Sequence, residues 1–462
     1  MRPALSCSLI RRFRSAVPIP IQRRHLLTLA IETSCDDTSV AVLEKHGNGS
    51  ATLHFHSKIT SDNRSYGGVY PIVAHESHQK NLAALVNDAL QSLPLAKDEQ
   101  LRSDNTVAVT GDKGRSVRKK PDFITATRGP GMRASLITGT DTAKGLAVGW
   151  QVPFLGVNHM QAHALTPRLI AAIDTPDLGN ARSLETNPGF PFLTLLVSGG
   201  HTMLVHSKGL CVHHILADTT DIAIGDMIDK CARDILPPSL LQTAPDVMYG
   251  PLLEKFAFPS RVPENSHQVG KAADSSRSDG GRIISKAIRD WKISTPYARS
   301  GSEGALSHAD SFSFSGIGSA AKRVVEQKPD IGEIERRQLA QEVMRVAFEH
   351  LASRVLLALG GPEAKDTNTL VVSGGVASNQ YLKRVLRGSL DEKGHRKLRL
   401  IFPPPRYCTD NAAMIAWTGI EMYEAGWRTD LSAMAVRKWA IDPKAEDGGI
   451  LGIGGWRNVA PL

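Results

Sequence analysis

Two histidines, His159 and His163, stand four residues apart in VNHMQAHAL, directly after the apolar run VPFLGV. On a helix this spacing places both imidazoles on one face, one turn apart, where a single cation can bind both. Asp410, in RYCTDNAAM, offers a third ligand between a proline turn and a predicted helix. A zinc protease carries its general base, a glutamate, directly after the first histidine, and this chain has Met160 there. The pattern predicts a metal site for an anionic ligand; the alternative is an incidental pair on a helix surface.

Two glycine turns offer backbone N–H groups to such an anion. Ser198–Gly200 follows the apolar run FLTLLV, and Ser373–Gly375 follows TLVVS. Glycines at the end of a buried strand let main-chain N–H groups approach phosphate or carboxylate oxygens closely. One such turn is a weak signal, whereas two in one chain favour a nucleotide-like ligand.

Two polar residues near these turns each have two interpretations. Asp229, in GDMIDKCARD, has the spacing to point into a cleft and accept hydrogen bonds from a ribose diol. The alternative for Asp229 is a surface acid paired with Lys230 or Arg233. Asn379 could bind a nucleotide or cap the helix that follows it. From the sequence, both pairs of alternatives stay open.

The elements that must position these residues alternate between strands, turns and helices. Leu26–Glu32 is a short apolar strand that turns through TSCDD into a second strand, Ser39–Leu43, and the same plan recurs at 192–197 and 203–206. Two such hairpins predict a duplicated, two-lobe α/β domain with its ligand between the lobes. Apolar periodicity predicts one helix that ends before Pro94 and a longer one from about Ile334 to Gly360.

Composition excludes several classes of protein. The 462 residues are 41% hydrophobic and 22% charged, which excludes a disordered, collagen-like or coiled-coil chain. No apolar run reaches the roughly eighteen residues of a membrane-spanning helix, and the cysteines are scattered without a CxxC pair. The polar stretches 102–120, 172–189 and 259–308 are predicted surface insertions. The basic cluster at the end of the first could contact RNA phosphates or simply be solvated.

Residues 1–31 form a basic leader with six arginines and no acid before Glu32. This composition is typical of a mitochondrial transit peptide, whereas Arg11, Arg12 and Arg14 interrupt the apolar core that a secretory signal needs. A frayed basic N-terminus is the alternative. Without these six charges the net charge of +9 falls to +3, which permits a nucleic-acid partner without demonstrating one.

Nine segments, taken in order, resemble the motifs of one family, the tRNA N6-adenosine threonylcarbamoyltransferases. They are ETSCDDT (32–38), GGVYPIVAHESH (67–78), TRGPGMRASLITG (127–139), HMQAH (159–163), LLVSGGHT (195–202), GDMIDKCAR (225–233), FSFSG (312–316), SGGVASNQYL (373–382) and CTDNAAMIA (408–416). The resemblance implies an α/β, two-lobe fold like that of actin, Hsp70 ATPase domains and sugar kinases, with duplicated lobes and an interlobe cleft. With the arginine-rich leader, the chain is similar to mitochondrial members.

The resemblance also implies roles for individual residues. Metal ligands of the family match His159, His163 and Asp410. Its substrate-binding positions match Leu196, Val197, Ser198, Gly199, Gly200, Asp229, Gly250, Gly374, Gly375 and Asn379, and a carboxylate needed for activity matches Asp36. The chain departs from the family pattern at Asp226 and Asp37, where glutamate is usual, and at FSGIGSA. The stretch between Asp229 and Gly250 is also longer than is typical.

The implied reaction transfers a threonylcarbamoyl group from threonylcarbamoyl-AMP, made by a separate synthase, to N6 of adenosine 37 in mitochondrial tRNA, and releases AMP. One divalent ion, iron or zinc, and a homodimer in the matrix are implied as well. The alternatives are a metal-dependent glycoprotein endopeptidase and an ATP-dependent kinase or ATPase of the same fold. The predicted organisation is a transit peptide (1–26), an N-terminal lobe (27–165), a C-terminal lobe (190–410) and a helix and tail (411–462) that return to the N-terminal lobe.

Overall fold

The computed structural model describes residues 25–96, 104–111, 114–175, 187–244, 246–259, 291–297 and 308–459. The predicted transit peptide, apart from its last two residues, and most of the predicted insertion 259–308 lie outside these ranges. The strands are β1 (Leu26–Glu32), β2 (Asp37–Lys45), β3 (Ala51–Thr60), β4 (Thr106–Gly111), β5 (Gly114–Lys119), β6 (Phe123–Gly129), β7 (Phe154–Asn158), β8 (Phe192–Val197), β9 (Thr202–Gly209), β10 (Val212–Thr219), β11 (Ser311–Phe312), β12 (Thr369–Ser373), β13 (Arg399–Ile401), β14 (Trp427–Thr429) and β15 (Trp456–Asn458). The helices are α1 (Pro71–Gln91), α2 (Arg133–Trp150), α3 (His159–Ile173), α4 (Ile224–Ile235), α5 (Pro238–Leu241), α6 (Gly250–Ala257), α7 (Ser315–Gln327), α8 (Glu333–Gly360), α9 (Gln380–Glu392), α10 (Pro405–Cys408) and α11 (Ala412–Glu424).

The two large sheets share one topology. In the first, of order β3-β2-β1-β6-β7, the strands β1 to β3 are antiparallel, and β6 and β7 continue the sheet in parallel with β1. In the second, of order β11-β10-β9-β8-β12-β13, β8 to β10 are antiparallel and β12 and β13 run parallel to β8. Apart from the edge strand β11, each sheet therefore repeats a meander followed by two parallel strands. The predicted two-lobe α/β fold with duplicated lobes is confirmed.

Four strands of the first sheet, β1, β2, β6 and β7, are buried because helices cover both of its faces, whereas β3 is only partly buried. Leu27, Leu29 and Ile31 of β1 belong to the core shared with α1 and α2, whereas Leu26 and Ala30 belong to the core shared with α3 and α11. This alternation follows from the two-residue period of a strand. The second sheet packs against α4, α7, α8 and α9 in one continuous core.

The segment after Asp410 packs on the first sheet. Helix α11 approaches β6 so closely that a Cβ at Gly419 would lie 2.8 Å from Thr125 Oγ1. Arg128, also on β6, donates hydrogen bonds from Nε to Met434 O (2.8 Å) and from Nη2 to Gly454 O (2.7 Å). The boundary expected at residue 165 falls within α3, which continues as one helix to Ile173.

The stretch predicted as an insertion at 102–120 contains the antiparallel hairpin β4–β5. Three of its cations bond to the protein itself: Arg118 Nη1 donates to Leu93 O (2.6 Å), Lys119 pairs with Glu44 (3.1 Å) and Lys120 Nζ donates to Trp150 O (3.2 Å). Arg115 is exposed, and Lys113 lies outside the described residues. These contacts weaken the alternative in which the cluster contacts RNA. Among the described helices, none is both long and apolar enough to cross a membrane.

Candidate metal centre and interlobe cleft

Capping asparagines fix the two elements that carry the predicted metal ligands. Helix α3 begins at His159, and the Oδ1 atom of Asn158 accepts hydrogen bonds from the N–H groups of Met160 (2.9 Å) and Gln161 (3.1 Å). Asn411 caps α11 in the same way by accepting from Met414 N (3.0 Å). Each cap satisfies backbone donors that the first helical turn leaves free. The side chains of His159 and Asp410 therefore project from ordered helix starts.

Three ligand atoms converge at this position. His159 Nε2 and His163 Nε2 lie 3.2 Å apart, and Asp410 Oδ1 lies 3.3 Å from the former and 3.1 Å from the latter. Ligands held about 2.1 Å from one cation lie about 3.0–3.4 Å from each other in octahedral or tetrahedral geometry. The two imidazoles and the carboxylate therefore fit a single divalent metal ion.

Glu32, the last residue of β1, positions His159 from its other side. This fully buried carboxylate accepts a hydrogen bond from Ser34 N (2.6 Å) and another from the Thr127 hydroxyl, and its Oε2 lies 3.4 Å from His159 Nδ1. The Ser34 hydroxyl oxygen also lies 3.2 Å from His159 Nδ1. With these two acceptors the proton stays on Nδ1, and the Nε2 lone pair points toward the other ligands. The sequence analysis missed Glu32, although an acid that ends an apolar strand was a signal.

The charges of this cluster shift its pKa values strongly. Burial alone would lower the pKa of His159, but Asp410 and Glu32 outweigh burial and raise that pKa to about 10. Burial alone would raise the pKa of Asp410, but His159 and His163 hold it well below its usual value. Buried Glu32 and partly exposed Asp410, beside two imidazoles, form an environment that stabilises positive charge. A bound cation would satisfy the same requirement.

The first glycine turn lies close to this cluster. The hydroxyl of Ser198 accepts hydrogen bonds from His201 N (3.0 Å) and Gly200 N (3.3 Å), and Gly199 and Gly200 are exposed. Burial and the positive charge of His159 lower the pKa of His201 to about 4, so the turn and the cluster interact electrostatically. The side chains of Leu196 and Val197 are buried. Only the backbone of those two residues can therefore face a ligand.

The second glycine turn lies beside the first. Strands β8 and β12 are parallel neighbours, so both turns leave the same edge of the sheet. Gly374 has a φ of +100°, and a Cβ there would lie 2.3 Å from Val197 O. A Cβ at Gly375 would lie 3.9 Å from Thr409 Cγ2, beside Asp410. The N-terminus of α4 also reaches this place, since Gly225 N donates to Ser198 O (3.1 Å). Such an edge offers several backbone N–H groups to an anion.

The predicted nucleotide-binding residues of the second lobe lie in different surroundings. Asp229 Oδ1 accepts a hydrogen bond from Gly250 N (2.8 Å), so the structure brings these two together. Burial raises the pKa of Asp229 to about 7, and the Gly250 and Tyr249 N–H groups oppose the rise. Lys230 pairs with Asp226 instead of Asp229. Asn379 takes the capping role, because its Oδ1 accepts from Leu382 N (2.9 Å).

Asp36 lies in the turn between β1 and β2, on the first lobe. Its neighbour Asp37 pairs with Lys58 (2.8 Å), and the same Lys58 Nζ donates to Thr409 Oγ1 (3.0 Å), which connects this turn to the loop of Asp410. Burial, followed by the negative charges of Asp37 and Asp410, raises the pKa of Asp36 to about 6. A carboxyl group with that pKa can exchange protons near neutral pH.

Comparison with known proteins identifies relatives along nearly the whole chain. The family model described as tRNA N6-adenosine threonylcarbamoyltransferase matches residues 115–417. A Schizosaccharomyces pombe protein named "tRNA N6-adenosine threonylcarbamoyltransferase, mitochondrial" is 35% identical over 443 residues, which cover 94% of this chain and 89% of that protein. The Maricaulis maris tRNA N6-adenosine threonylcarbamoyltransferase is 31% identical over 432 residues, covering 92% of this chain and 93% of that protein. The match to the crystal structure of T. kodakarensis HypF covers 90% of this chain and 50% of the HypF chain, with a TM-score of 0.42 and 15% sequence identity. The family model and these full-length relatives establish that the chain belongs to the tRNA N6-adenosine threonylcarbamoyltransferase family.

Proposed function

We propose that this enzyme transfers the threonylcarbamoyl group of threonylcarbamoyl-AMP to N6 of adenosine 37 of tRNA and releases AMP. The observation that carries the proposal is the convergence of His159, His163 and Asp410 next to two glycine turns at one sheet edge. A cation-binding cluster beside backbone N–H donors suits an anionic acyl phosphate. Membership of the family supplies the acceptor, the adenosine N6 atom.

The donor would bind with its AMP moiety in the second lobe. The exposed glycine turn at Gly199 and Gly200 is suited to the phosphate oxygens. Asp229 accepts hydrogen bonds from the Gly250 and Tyr249 N–H groups, and its carboxyl oxygens have further lone pairs to accept from a ribose hydroxyl. His159, His163 and Asp410 would hold one zinc or iron ion, which when bound supplies positive charge for the anionic donor.

In the reaction, the exocyclic nitrogen forms a bond to the carbamoyl carbon while the bond from that carbon to the phosphate oxygen breaks. The amine is a weak nucleophile, so orientation of the two reactants must contribute much of the rate, up to about 7–11 kcal/mol. We assign Asp36 as the acceptor of the proton that N6 loses. Its pKa of about 6 leaves it ionised at neutral pH and basic enough to take that proton.

Mitochondrial location, the use of mitochondrial tRNAs and a homodimeric state belong to the same proposal. The Schizosaccharomyces pombe relative is named mitochondrial, and the basic leader has the composition of a transit peptide. The endopeptidase alternative has weak support, because the residue after His159 is Met160, whose side chain is packed in a hydrophobic core with Leu196 and Trp439. A sugar kinase has no use for a cluster of two histidines and a carboxylate.

The test uses purified protein, unmodified tRNA and threonylcarbamoyl-AMP supplied by a synthase. Mass spectrometry of the digested tRNA should detect threonylcarbamoyladenosine, and a His163→Ala variant should form much less. In cells, mitochondrial tRNA should lose this nucleoside when the gene is removed. Folded, metal-loaded protein that leaves the tRNA unchanged would refute the proposal, and cleavage of a labelled glycoprotein would favour the endopeptidase.

A further inference from the structure

Two exposed tyrosines form a stack in the loop between β3 and α1. The rings of Tyr66 and Tyr70 are nearly parallel, with centroids 4.4 Å apart and an interplanar angle of 6°. Tyr66 is 54% exposed and Tyr70 is 39% exposed, so the pair keeps aromatic surface in contact with solvent. Aromatic rings on a protein surface are the groups on which unpaired nucleobases stack.

A single buried side chain holds this loop in place. Asn63 accepts hydrogen bonds from Tyr70 N at its Oδ1 (2.9 Å) and from Tyr66 N at its backbone oxygen (3.0 Å). The Asn63 Nδ2 group donates to Ser61 Oγ (2.8 Å). Gly67, with a φ of +64°, makes the turn between the two tyrosines. Both tyrosine backbones are therefore tied to one residue, which holds the two rings side by side in the ligand-free protein.

The loop touches both lobes beside the proposed reaction site. On the first lobe, Ser61 N donates to Asp36 O (3.0 Å), so the loop starts at the turn that carries the proposed base. On the second lobe, Arg233 Nη1 donates to Gly67 O (2.5 Å). Arg233 lies one helical turn after Asp229 on α4. The tyrosine pair therefore lies at the rim of the cleft, with a guanidinium group beside it.

We propose that Tyr66 and Tyr70 form a stacking platform for an unpaired base of the tRNA next to the target adenosine, an inference that rests on the proposed function. An enzyme that modifies a base must separate it from its neighbours, which then lose a stacking partner. The outer face of Tyr66 restores that contact, and the positive charge of Arg233 suits the RNA backbone. RNA is favoured over a protein partner because the platform adjoins the residues proposed to bind both substrates.

The experiment measures how the full-length, metal-loaded enzyme binds an anticodon stem-loop with 2-aminopurine beside adenosine 37. Stacking on tyrosine quenches 2-aminopurine, so the saturated wild-type complex should fluoresce less than the saturated Tyr66→Ala complex. The Tyr66→Ala variant should bind about 5-fold to 100-fold more weakly and lose the quench. Tyr66→Phe keeps the aromatic face and should retain both. Ile334→Ala, which shortens another exposed apolar side chain, is the matched control and should behave as wild type.

The outcomes separate this inference from the proposed function. The platform alone is overturned if wild-type protein modifies tRNA but folded Tyr66→Ala binds the stem-loop with a dissociation constant within two-fold of wild type and with the same quench. Wild-type protein that neither binds nor modifies tRNA overturns both. The inference is also overturned if Tyr66→Ala binds RNA normally but no longer self-associates. In that case the two tyrosines contact a second copy of the chain. Melting temperatures establish that each variant is folded.

Discussion

Replacement of Glu32 by glutamine should weaken metal binding without unfolding the enzyme. Glutamine has nearly the same shape, so its carbonyl oxygen can still accept the hydrogen bond from Ser34 N, which is 2.6 Å long in the native protein. The amide NH2 group then takes the place of Oε2, which accepts from the Thr127 hydroxyl and lies 3.4 Å from His159 Nδ1. The Thr127 hydroxyl must then rotate to accept from the new NH2 group. An NH2 group donates where the carboxylate accepted, so it favours the His159 tautomer that carries its proton on Nε2. That nitrogen can then no longer act as a ligand.

The size of the effect follows from the loss of both charge and tautomer control. Replacement of a carboxylate behind a metal-binding histidine typically reduces metal affinity about 10-fold to 100-fold, which corresponds to about 1.4–2.8 kcal/mol. We expect the zinc dissociation constant of Glu32→Gln to rise by this factor. A smaller, uncharged side chain in Glu32→Ala should act in the same direction.

Competition with a chromophoric zinc chelator measures the dissociation constant, and elemental analysis gives the metal content of the purified variants. Glu44→Gln is the matched control, since Glu44 is also a nearly buried carboxylate of the first sheet but pairs with Lys119 and His54. Its metal affinity should equal that of wild type. If folded Glu32→Gln binds zinc within three-fold of wild type, Glu32 does not position His159 and the reasoning is refuted.

Three further predictions concern the remaining groups of the site. The pKa of Asp36 is raised to about 6, so its carboxylate becomes protonated as the pH falls through 6. The single-turnover rate of wild type should therefore decrease below about pH 6. Asp36→Asn should be slow, and its rate should not show this decrease. An Asn variant that keeps the parent rate and pH profile would exclude Asp36 as the base. Gly374→Ala should lower the free energy of unfolding, measured by urea denaturation, by about 2 kcal/mol or more, because φ is +100° and the new Cβ would meet Val197 O. Gly316→Ala is the control: its Cβ would enter open space, so the substitution should be neutral or stabilising. Asp229→Ala should weaken AMP binding about 10-fold in calorimetry, because the ribose loses a hydrogen-bond acceptor. Unchanged affinity would place the ribose elsewhere.

Much of the local structure was readable from neighbouring residues. The strands at 26–32, 192–197 and 369–373 match the observed elements, because each is an apolar run bounded by a polar or glycine turn. The long helix predicted from about Ile334 to Gly360 is α8, Glu333–Gly360. Helix α1 begins earlier than the apolar periodicity indicated, at Pro71, since proline is well suited to the first helical turn. The stretch at 102–120 contains a hairpin in which Arg118, Lys119 and Lys120 bond to the protein itself, a pairing that charge composition does not reveal.

Patterns in the chain determined the two-lobe fold, the candidate ligands and the family, because periodicity, turn chemistry and motifs depend on residues close in sequence. Only the tertiary structure decided which of these residues meet. Asp410 lies 247 residues beyond His163, and it reaches the histidines because α11 packs on the first sheet beside α3. The same packing aligns buried Glu32 with His159 across 127 residues. The physical reason is that such contacts arise from the burial of helix faces against a shared sheet, which no local stretch of sequence specifies.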